Sequence, residues 1–387
     1  MVSDDGRLGI TVNGEIYNFS ALRGKLEEVG YRFRSRSDSE VVLYGYRHWG
    51  IEGLAARLDG MYVAVILDHE KHCLHMLRDR AGIKPLYYHY IEGQAFAWAS
   101  ELKALREWLP NERKKVDETA LYDFLTYRFI PSPKSLYKNV YKLLPAHYIT
   151  LQIKDIKLWE HCYWRPPLAQ RPDPHEVLAK ELVDLLRESV SEQLVGDVPI
   201  GFLLSGGIDS SAVTAIGAEL IEKAMTFSIG FSNPARDESK YAQMVADWGK
   251  TSHYLHVLDN DEMIDLPKRM ADWFDEPFAD TSAVPTFRVC SFARQHVTVA
   301  LSGDGGDELF GGYRWYNTFH SLRSGNVFPA FLPRYGFNLP TWVPHYRQIA
   351  MRSASDPLVQ YARLRGGLGK ARLLAWRKRL GVPSDYD

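Results

Sequence analysis

The sequence predicts two folds in series: a layered α+β domain over residues 1–162 and an α/β domain with a parallel sheet over residues 175–387. Three observations carry this reading. The first portion mixes short apolar strand runs with two amphipathic helical stretches. Residues 163–174 hold Pro166, Pro167, Pro172 and Pro174 among polar residues, a composition that stiffens an extended chain and blocks helix. Beyond residue 175, strands and helices alternate with the rhythm of a parallel sheet covered by helices on its faces.

Taken in order, residues 8–12 read as a strand ending at Asn13-Gly14. Residues 20–28 read as a short helix with Leu22 and Leu26 on one face, and 38–49 as a second helix capped by Asp38 or Ser39. Strands follow over 61–67 and 74–77, joined by the polar turn 68–72, and another over 96–99. In the second domain, Val177, Leu178, Leu182, Leu185, Leu186, Val190 and Leu194 recur at helical spacing over 175–194. Strands over 200–204, 225–229, 253–257 and 297–301 then alternate with helices that begin at Ser211, Ser239 and Asp261. After about residue 320 the chain reads as helical or irregular.

Composition narrows the function. With 45% hydrophobic and 25% charged residues over 387 positions, the chain can bury sizeable cores as an ordinary soluble protein. A net charge of −1 argues against a broad electrostatic grip on nucleic acid or an anionic membrane. The three cysteines, Cys73, Cys162 and Cys290, form no C-x-x-C. That pattern fits neither a disulfide framework nor a zinc site, and it suits a reducing cytoplasm. No signal peptide or bilayer-length apolar run is legible, so a cytoplasmic protein is expected.

Two glycine-rich turns carry the chemistry. In the first, residues 203–211, an apolar strand runs into Ser205-Gly206-Gly207-Ile208-Asp209-Ser210-Ser211 and then a helix. Backbone N–H groups at such a turn, aided by the positive end of the helix dipole, make a nest for phosphate oxygens. Asp209 would repel a bare phosphate, so it reads as a ligand for Mg2+ carried on that phosphate. No G-x-x-x-x-G-K-[ST] pattern is present, which sets the turn apart from the Walker type. The plain alternative is a glycine turn with a Ser or Asp helix cap. This run resembles the pyrophosphate loop of ATP pyrophosphatases.

The second turn follows the strand over 297–301 and runs Ser302-Gly303-Asp304-Gly305-Gly306-Asp307-Glu308. Ligands of open α/β sheets sit at the carboxyl ends of the strands, so both turns are expected to face one pocket. Asp209 and Asp307 are then expected to share one Mg2+ on the pyrophosphate part of ATP. Asp304 and Glu308 could be solvated loop acids, but three acids among glycines beside a buried strand favour function. Between the turns, residues 275–282 either line a substrate pocket or cap the next helix with Asp280 or Ser282. His253 and His256, three apart in a strand, point to opposite faces and read as structural.

In the first domain, Asn13-Gly14-Glu15 offers an amide and a glycine N–H at a strand end, as an oxyanion hole requires. Asp38, within Ser37–Glu40, offers a carboxylate for a substrate ammonium. Residues 78–88 form a charged turn leading into a strand. Singly, each passes for a turn or a cap.

Together these segments resemble the class-II glutamine amidotransferase domain. With the two glycine-rich turns they resemble glutamine-hydrolysing asparagine synthetases of the bacterial type, over nearly the whole chain and in the family's order. The resemblance implies an N-terminal-nucleophile sandwich followed by a PP-loop domain of the adenine nucleotide alpha hydrolase-like kind. It implies that aspartate, ATP and glutamine-derived ammonia give asparagine, AMP and pyrophosphate through β-aspartyl-AMP. ATP and Mg2+ are the implied cofactors, and a homodimer is admitted. Carried over residue by residue, the ATP site comprises Leu204, Ser205, Gly206, Gly207, Asp209, Ser210, Ile229, Ser302 and Gly303. The metal ligands are Asp209 and Asp307, and the glutamine site is Asn13, Gly14, Glu15 and Asp38. Asp304 stands where many relatives carry Glu, the residue assigned to the adenylation or ammonia step.

The chain departs from the family at both ends. It begins Met1-Val2, whereas the family's glutaminase nucleophile is a Cys directly after the initiator Met. None of the three cysteines is terminal, and Cys73, in a strand-like run, reads as core. The family's Arg for the glutamine carboxylate and its later Lys near the phosphates have no counterpart. The expectation is a piece of a longer protein that does not hydrolyse glutamine alone. Amidation of another acid, such as a sugar acid or an amino-acid derivative, and a non-catalytic remnant are the competing readings.

Overall fold

The computed structural model describes residues 1–167, 171–196, 198–235, 237–323, 370–383 and 386. The expectation for the stretch after about residue 320 falls mostly outside them. The chain divides into two compact units, Met1–Ala120 with Ile130–Pro174, and Leu121–Phe129 with His175–Asp387. Residues Leu121–Phe129 thus group with the second unit, a departure from the uninterrupted first domain expected above.

In chain order the first unit contains β1 (Leu8–Ile16), α1 (Phe19–Glu28), α2 (Glu40–Arg57), β2 (Gly60–Asp68), β3 (Cys73–Arg78), β4 (Tyr87–Ile91), β5 (Ala95–Ala99) and α3 (Leu102–Trp108). The unit division falls within α4 (Glu118–Tyr127), and β6 (Val140–Lys142), β7 (His147–Gln152) and β8 (Lys157–Cys162) follow. A five-stranded antiparallel sheet has the order β1-β2-β3-β7-β8, and a three-stranded antiparallel sheet the order β5-β4-β6.

Period-two alternation along β2 explains the layers. Tyr62, Ala64 and Ile66 pack with Leu22, Leu26, Val41 and Leu54 of α1 and α2. Val63 and Val65 face the other way, onto Leu86, Tyr88 and Ile149. Leu102 and Leu105 of α3 cover the far side of the smaller sheet beside Tyr87 and Ala97. The unit is a helix–sheet–sheet–helix sandwich.

Two local expectations are corrected. β1 does not end at Asn13-Gly14: its ladder with β2 continues to the pair Ile16 and Gly60. Gly14 (φ 141°) and Gly60 (φ 151°) allow this, since a Cβ on Gly14 would lie 2.0 Å from the Met61 carbonyl oxygen. The helix expected from residue 38 begins at Glu40, and Ser39 makes no side-chain cap bond. Asp38 instead accepts the Ile16 N–H at 2.8 Å, so its carboxylate ties the helix entry to β1.

A buried polar chain crosses the same unit. Tyr46 Oη donates to Asp68 Oδ2 (2.7 Å) and lies 3.1 Å from His75 Nε2, while His75 Nδ1 meets Thr150 Oγ1 at 2.9 Å. Both ring nitrogens thus face hydroxyl groups that can donate or accept. Burial, with the Lys71 charge second, pushes the ring's pKa from 6.5 to about 4, which favours the neutral form. The unfolded chain binds this proton near pH 6.5 and the folded chain only near pH 4. Stability is therefore complete above pH 6.5 and declines as pH falls through that window, by up to roughly 3 kcal/mol. Thermal melts between pH 7.5 and 4.5 are expected to show this decline, and His75→Gln should start less stable and flatten it.

The second unit contains α5 (His175–Gln193), β9 (Ile200–Leu203), α6 (Ile208–Leu220), β10 (Met225–Phe231), α7 (Ser239–Trp248), β11 (Ser252–Leu258), α8 (Asn260–Trp273), α9 (Ala283–Ala293), β12 (Val299–Leu301), α10 (Gly306–Phe310), α11 (Arg314–Arg323) and α12 (Lys370–Leu380). Its four-stranded sheet is parallel throughout, in the order β11-β10-β9-β12. Phe202 packs with Val190 of α5 and Ile216 of α6, whereas Phe227 packs with Ala293 and Val297 on the opposite face. Helices thus cover both faces. α6 begins at Ile208, three residues earlier than expected, with Gly207 as its N-cap residue.

Candidate functional site

The strand order makes β9 and β12 the topological switch point. The chain leaves β9 for β10 on one side and returns to β12 on the other. In open parallel sheets the crevice beyond the strand carboxyl ends at this point is where ligands bind. Both glycine-rich turns begin there, since β9 pairs in register with β12 through Phe202 and Leu301.

Close packing shows how tightly the turns meet. A Cβ on Gly303 would lie 2.6 Å from the Ser210 nitrogen and 2.9 Å from the Asp209 carbonyl carbon. A Cβ on Gly306 would lie 2.4 Å from the Asp209 carboxyl carbon. The Asp209 carboxylate therefore rests on the residue that precedes Asp307. The Asp307 carboxylate lies against Gly312, whose N–H bonds the Asp307 carbonyl at 3.0 Å.

The first turn is held from several sides. Leu204 N–H donates to the Phe227 carbonyl (2.9 Å), and the buried Ser228 hydroxyl donates to the Leu204 carbonyl, carrying the tie to β10 just past the end of β9. Ser210 Oγ accepts the Ser205 N–H (3.2 Å) and lies 2.9 Å from Ser205 Oγ, which accepts the Gly207 N–H (3.2 Å). These hydroxyls occupy the loop N–H groups that an anion would otherwise meet. The first N–H groups of α6 have no preceding carbonyl to bond, as at any helix start. In the second turn, Ser302 Oγ donates to Asp304 Oδ2 (2.8 Å), and Tyr313 Oη donates to Glu308 Oε1 (2.6 Å). Burial, and then the Asp304 charge, push the Cys290 thiol pKa up, which sets α9 within electrostatic reach of this turn.

Ile229 lies half-buried in β10, two residues before its end. Asp280 accepts both N–H and Oγ–H of Ser282 just ahead of α9, and Ser282, the N-cap residue, makes no side-chain cap bond, so the expected Ser282 cap is not formed. His253 and His256 have different partners, Thr226 Oγ1 (2.9 Å) and the Arg288 Nε donor (3.1 Å), as opposite faces require. Among the described residues no group of three or more His, Cys, Asp or Glu is gathered as a metal site. Asp209 and Asp307 could hold Mg2+, which needs few protein ligands because it keeps waters and takes substrate phosphate oxygens.

In the first unit Asn13, Gly14 and Glu15 lie at the carboxyl end of β1, to which Asp38 is bonded through Ile16. Asn13 Nδ2 donates to Ser100 Oγ at 3.0 Å, a partner the sequence does not single out. Both line a cleft with Thr11, Val63, Leu86 and Trp98. Burial, then the Asp38 charge, raise the Glu15 pKa, with Lys84 offsetting them. The charged turn at residues 78–88 is structural. The Arg78 guanidinium donates to the carbonyls of Lys84 (2.8 Å), Gly82 (2.6 Å) and Leu143, while buried Asp79 accepts the Ile83 and Lys84 N–H groups. Cys73 is core, and burial raises its thiol pKa, opposite to what a nucleophile needs. No helix among the described residues is long and apolar enough to cross a membrane.

A model of the asparagine synthase family matches residues 181–383, and one of the glutamine amidotransferase domain matches residues 1–164. Asparagine synthetase [glutamine-hydrolyzing] 1 of Bacillus subtilis is 37% identical over 333 residues, which cover 86% of this chain and 52% of the relative. Putative asparagine synthetase [glutamine-hydrolyzing] 2 of Methanocaldococcus jannaschii is 35% identical over 336 residues, covering 86% and 64%. The chain thus spans between about half and two thirds of these relatives' length. Among solved structures, a glutamine phosphoribosylpyrophosphate amidotransferase from B. subtilis complexed with ADP and GMP is similar only slightly. Its TM-score is 0.30 at 14% identity, over 77% of this chain and 52% of that one.

Proposed function

The chain belongs to the asparagine synthase family, and on that premise we propose that its second unit activates a carboxylic acid, aspartate first among candidates, by adenylation with Mg-ATP. The observation that carries this reading is the contact of the two turns, with Gly303 on the Asp209–Ser210 backbone and the Asp209 carboxylate on Gly306. Phosphates at the switch point would displace the Ser205 and Ser210 hydroxyls from the loop N–H groups and take up the start of α6. Leu204, Ile229, Ser302 and Gly303 would flank the adenosine. Asp209 and Asp307 would hold Mg2+, which supplies positive charge to pyrophosphate as the acid oxygen attacks the α-phosphorus. β-Aspartyl-AMP would then meet ammonia, with Asp304 read as taking its proton and asparagine and AMP as products.

Within a longer protein that carries the nucleophile, the first unit would serve as the ammonia source, and this chain is not expected to hydrolyse glutamine alone. Asn13 Nδ2 and the Gly14 N–H would face the oxyanion of glutamine hydrolysis, Glu15 would contact the substrate, and Asp38 would hold the glutamine ammonium.

The test is pyrophosphate release by the chain with Mg-ATP, ammonium and single carboxylic acids. Release dependent on aspartate is expected. Release with a sugar acid or another amino-acid derivative instead would move the acceptor, and absence of both release and Mg-ATP binding would contradict adenylation.

A further inference from the structure

We propose that Asp237 is a positioning residue for the nucleotide pocket, binding the end of β10 to the start of α7 so that both stand fixed behind the first glycine turn. The inference rests on the ATP reading above. One carboxylate bonds both segments. Its Oδ1 accepts the N–H of Phe231, the last residue of β10, at 3.2 Å and the N–H of Ser239, the first of α7, at 3.3 Å. Its Oδ2 accepts the Ser239 hydroxyl at 2.8 Å. The approach is close enough that a Cβ on Gly230 would lie 3.3 Å from Oδ1. Hydrogen bonds from Ser239 first, then from Phe231, lower the Asp237 pKa.

What the two attached segments touch gives Asp237 its role. The first turn of α7 is the wall behind Gly206, where a Cβ would lie 2.7 Å from the Ala242 nitrogen and 2.8 Å from Tyr241 Cβ. Gly206 holds a φ of 84°, so the bend of the phosphate turn is fitted to that wall. Leu204, at the start of the turn, is buried with Ala242 and Ala246 of the same helix. On the other side, β10 carries Ile229 and supplies the Phe227 carbonyl that receives the Leu204 N–H. Releasing the joint frees the phosphate wall and the adenosine flank together. A hydrogen-bonded joint of this kind acts on nucleotide affinity because the pocket must be ordered before the ligand arrives.

The test is calorimetric titration of the chain with Mg-ATP. Asp237→Ala should weaken binding about tenfold, the loss expected when charge-assisted hydrogen bonds that order a site are removed. Asp237→Asn keeps an oxygen for the two N–H groups and should stay within about twofold. Ser239→Ala removes only the hydroxyl bond and should weaken binding about threefold, which supplies the readout if Asp237→Ala does not fold. Unchanged affinity in folded Asp237→Ala, or in Ser239→Ala if that variant alone folds, overturns the positioning role. Failure of the unsubstituted chain to bind Mg-ATP overturns the ATP reading itself.

Discussion

Asp209→Asn is expected to weaken Mg2+-dependent ATP binding about a hundredfold, the scale of losing one charged partner at a desolvated ion contact. The fold should not change, because the Asp209 side chain makes no hydrogen bond among the described residues and rests on Gly306. The sign reverses without the metal. A carboxylate beside the phosphate nest repels bare ATP, so the Asn variant should bind metal-free ATP at least as well as the parent. Calorimetry in excess Mg2+ and again in a chelator checks both arms. Equal losses in both would mean that Asp209 shapes the turn and does not meet an ion.

Gly303→Ala is the second large expectation. Its Cβ would meet the Ser210 nitrogen at 2.6 Å, the Asp209 carbonyl carbon at 2.9 Å and Ser210 Cα at 3.0 Å. All are backbone atoms at the start of a helix, so no rotamer change relieves the contact and the turns must separate. Overpacking of this kind costs about 1–3 kcal/mol, and Mg-ATP affinity should fall at least about tenfold with it. Gly306→Ala is the informative contrast, because the three atoms nearest its Cβ all belong to the Asp209 side chain. That carboxylate can swing away, so Mg2+-dependent binding should be lost with little loss of stability. Denaturant unfolding alongside calorimetry separates the two.

The second unit was the more legible in sequence, for a physical reason. Strands of a parallel sheet are buried on both faces and stand out as apolar runs, and glycine turns at their ends mark where the backbone must approach a ligand. The meeting of Asp209 with Gly306 follows once β9 and β12 are neighbours. Ser228 and Asp237 were not legible, because a hydroxyl inside an apolar run and an acid before a helix acquire meaning only from strand register and from a loop's closure.

The first unit misleads at Asn13-Gly14, a pair that signals a turn. Here the glycine sits inside a ladder whose partner strand lies more than forty residues onward, around Gly60. Asp38 reads as a helix cap because caps are local, yet its carboxylate is taken by Ile16, twenty-two residues away. β8 leaves no trace in the sequence, because its residues are mostly exposed and give no alternation. The Arg78–Asp79 pair reads only as a charged turn, and its buried backbone partners show what that turn holds together.

A double-mutant cycle between Asp209 and Asp307, read as Mg-ATP affinity, tests most directly whether the two turns hold one ion. Two ligands of a single Mg2+ are strongly coupled, so Asp209→Asn with Asp307→Asn should bind hardly worse than either single variant. Losses that add in free energy would place the two carboxylates in separate roles and contradict the shared site.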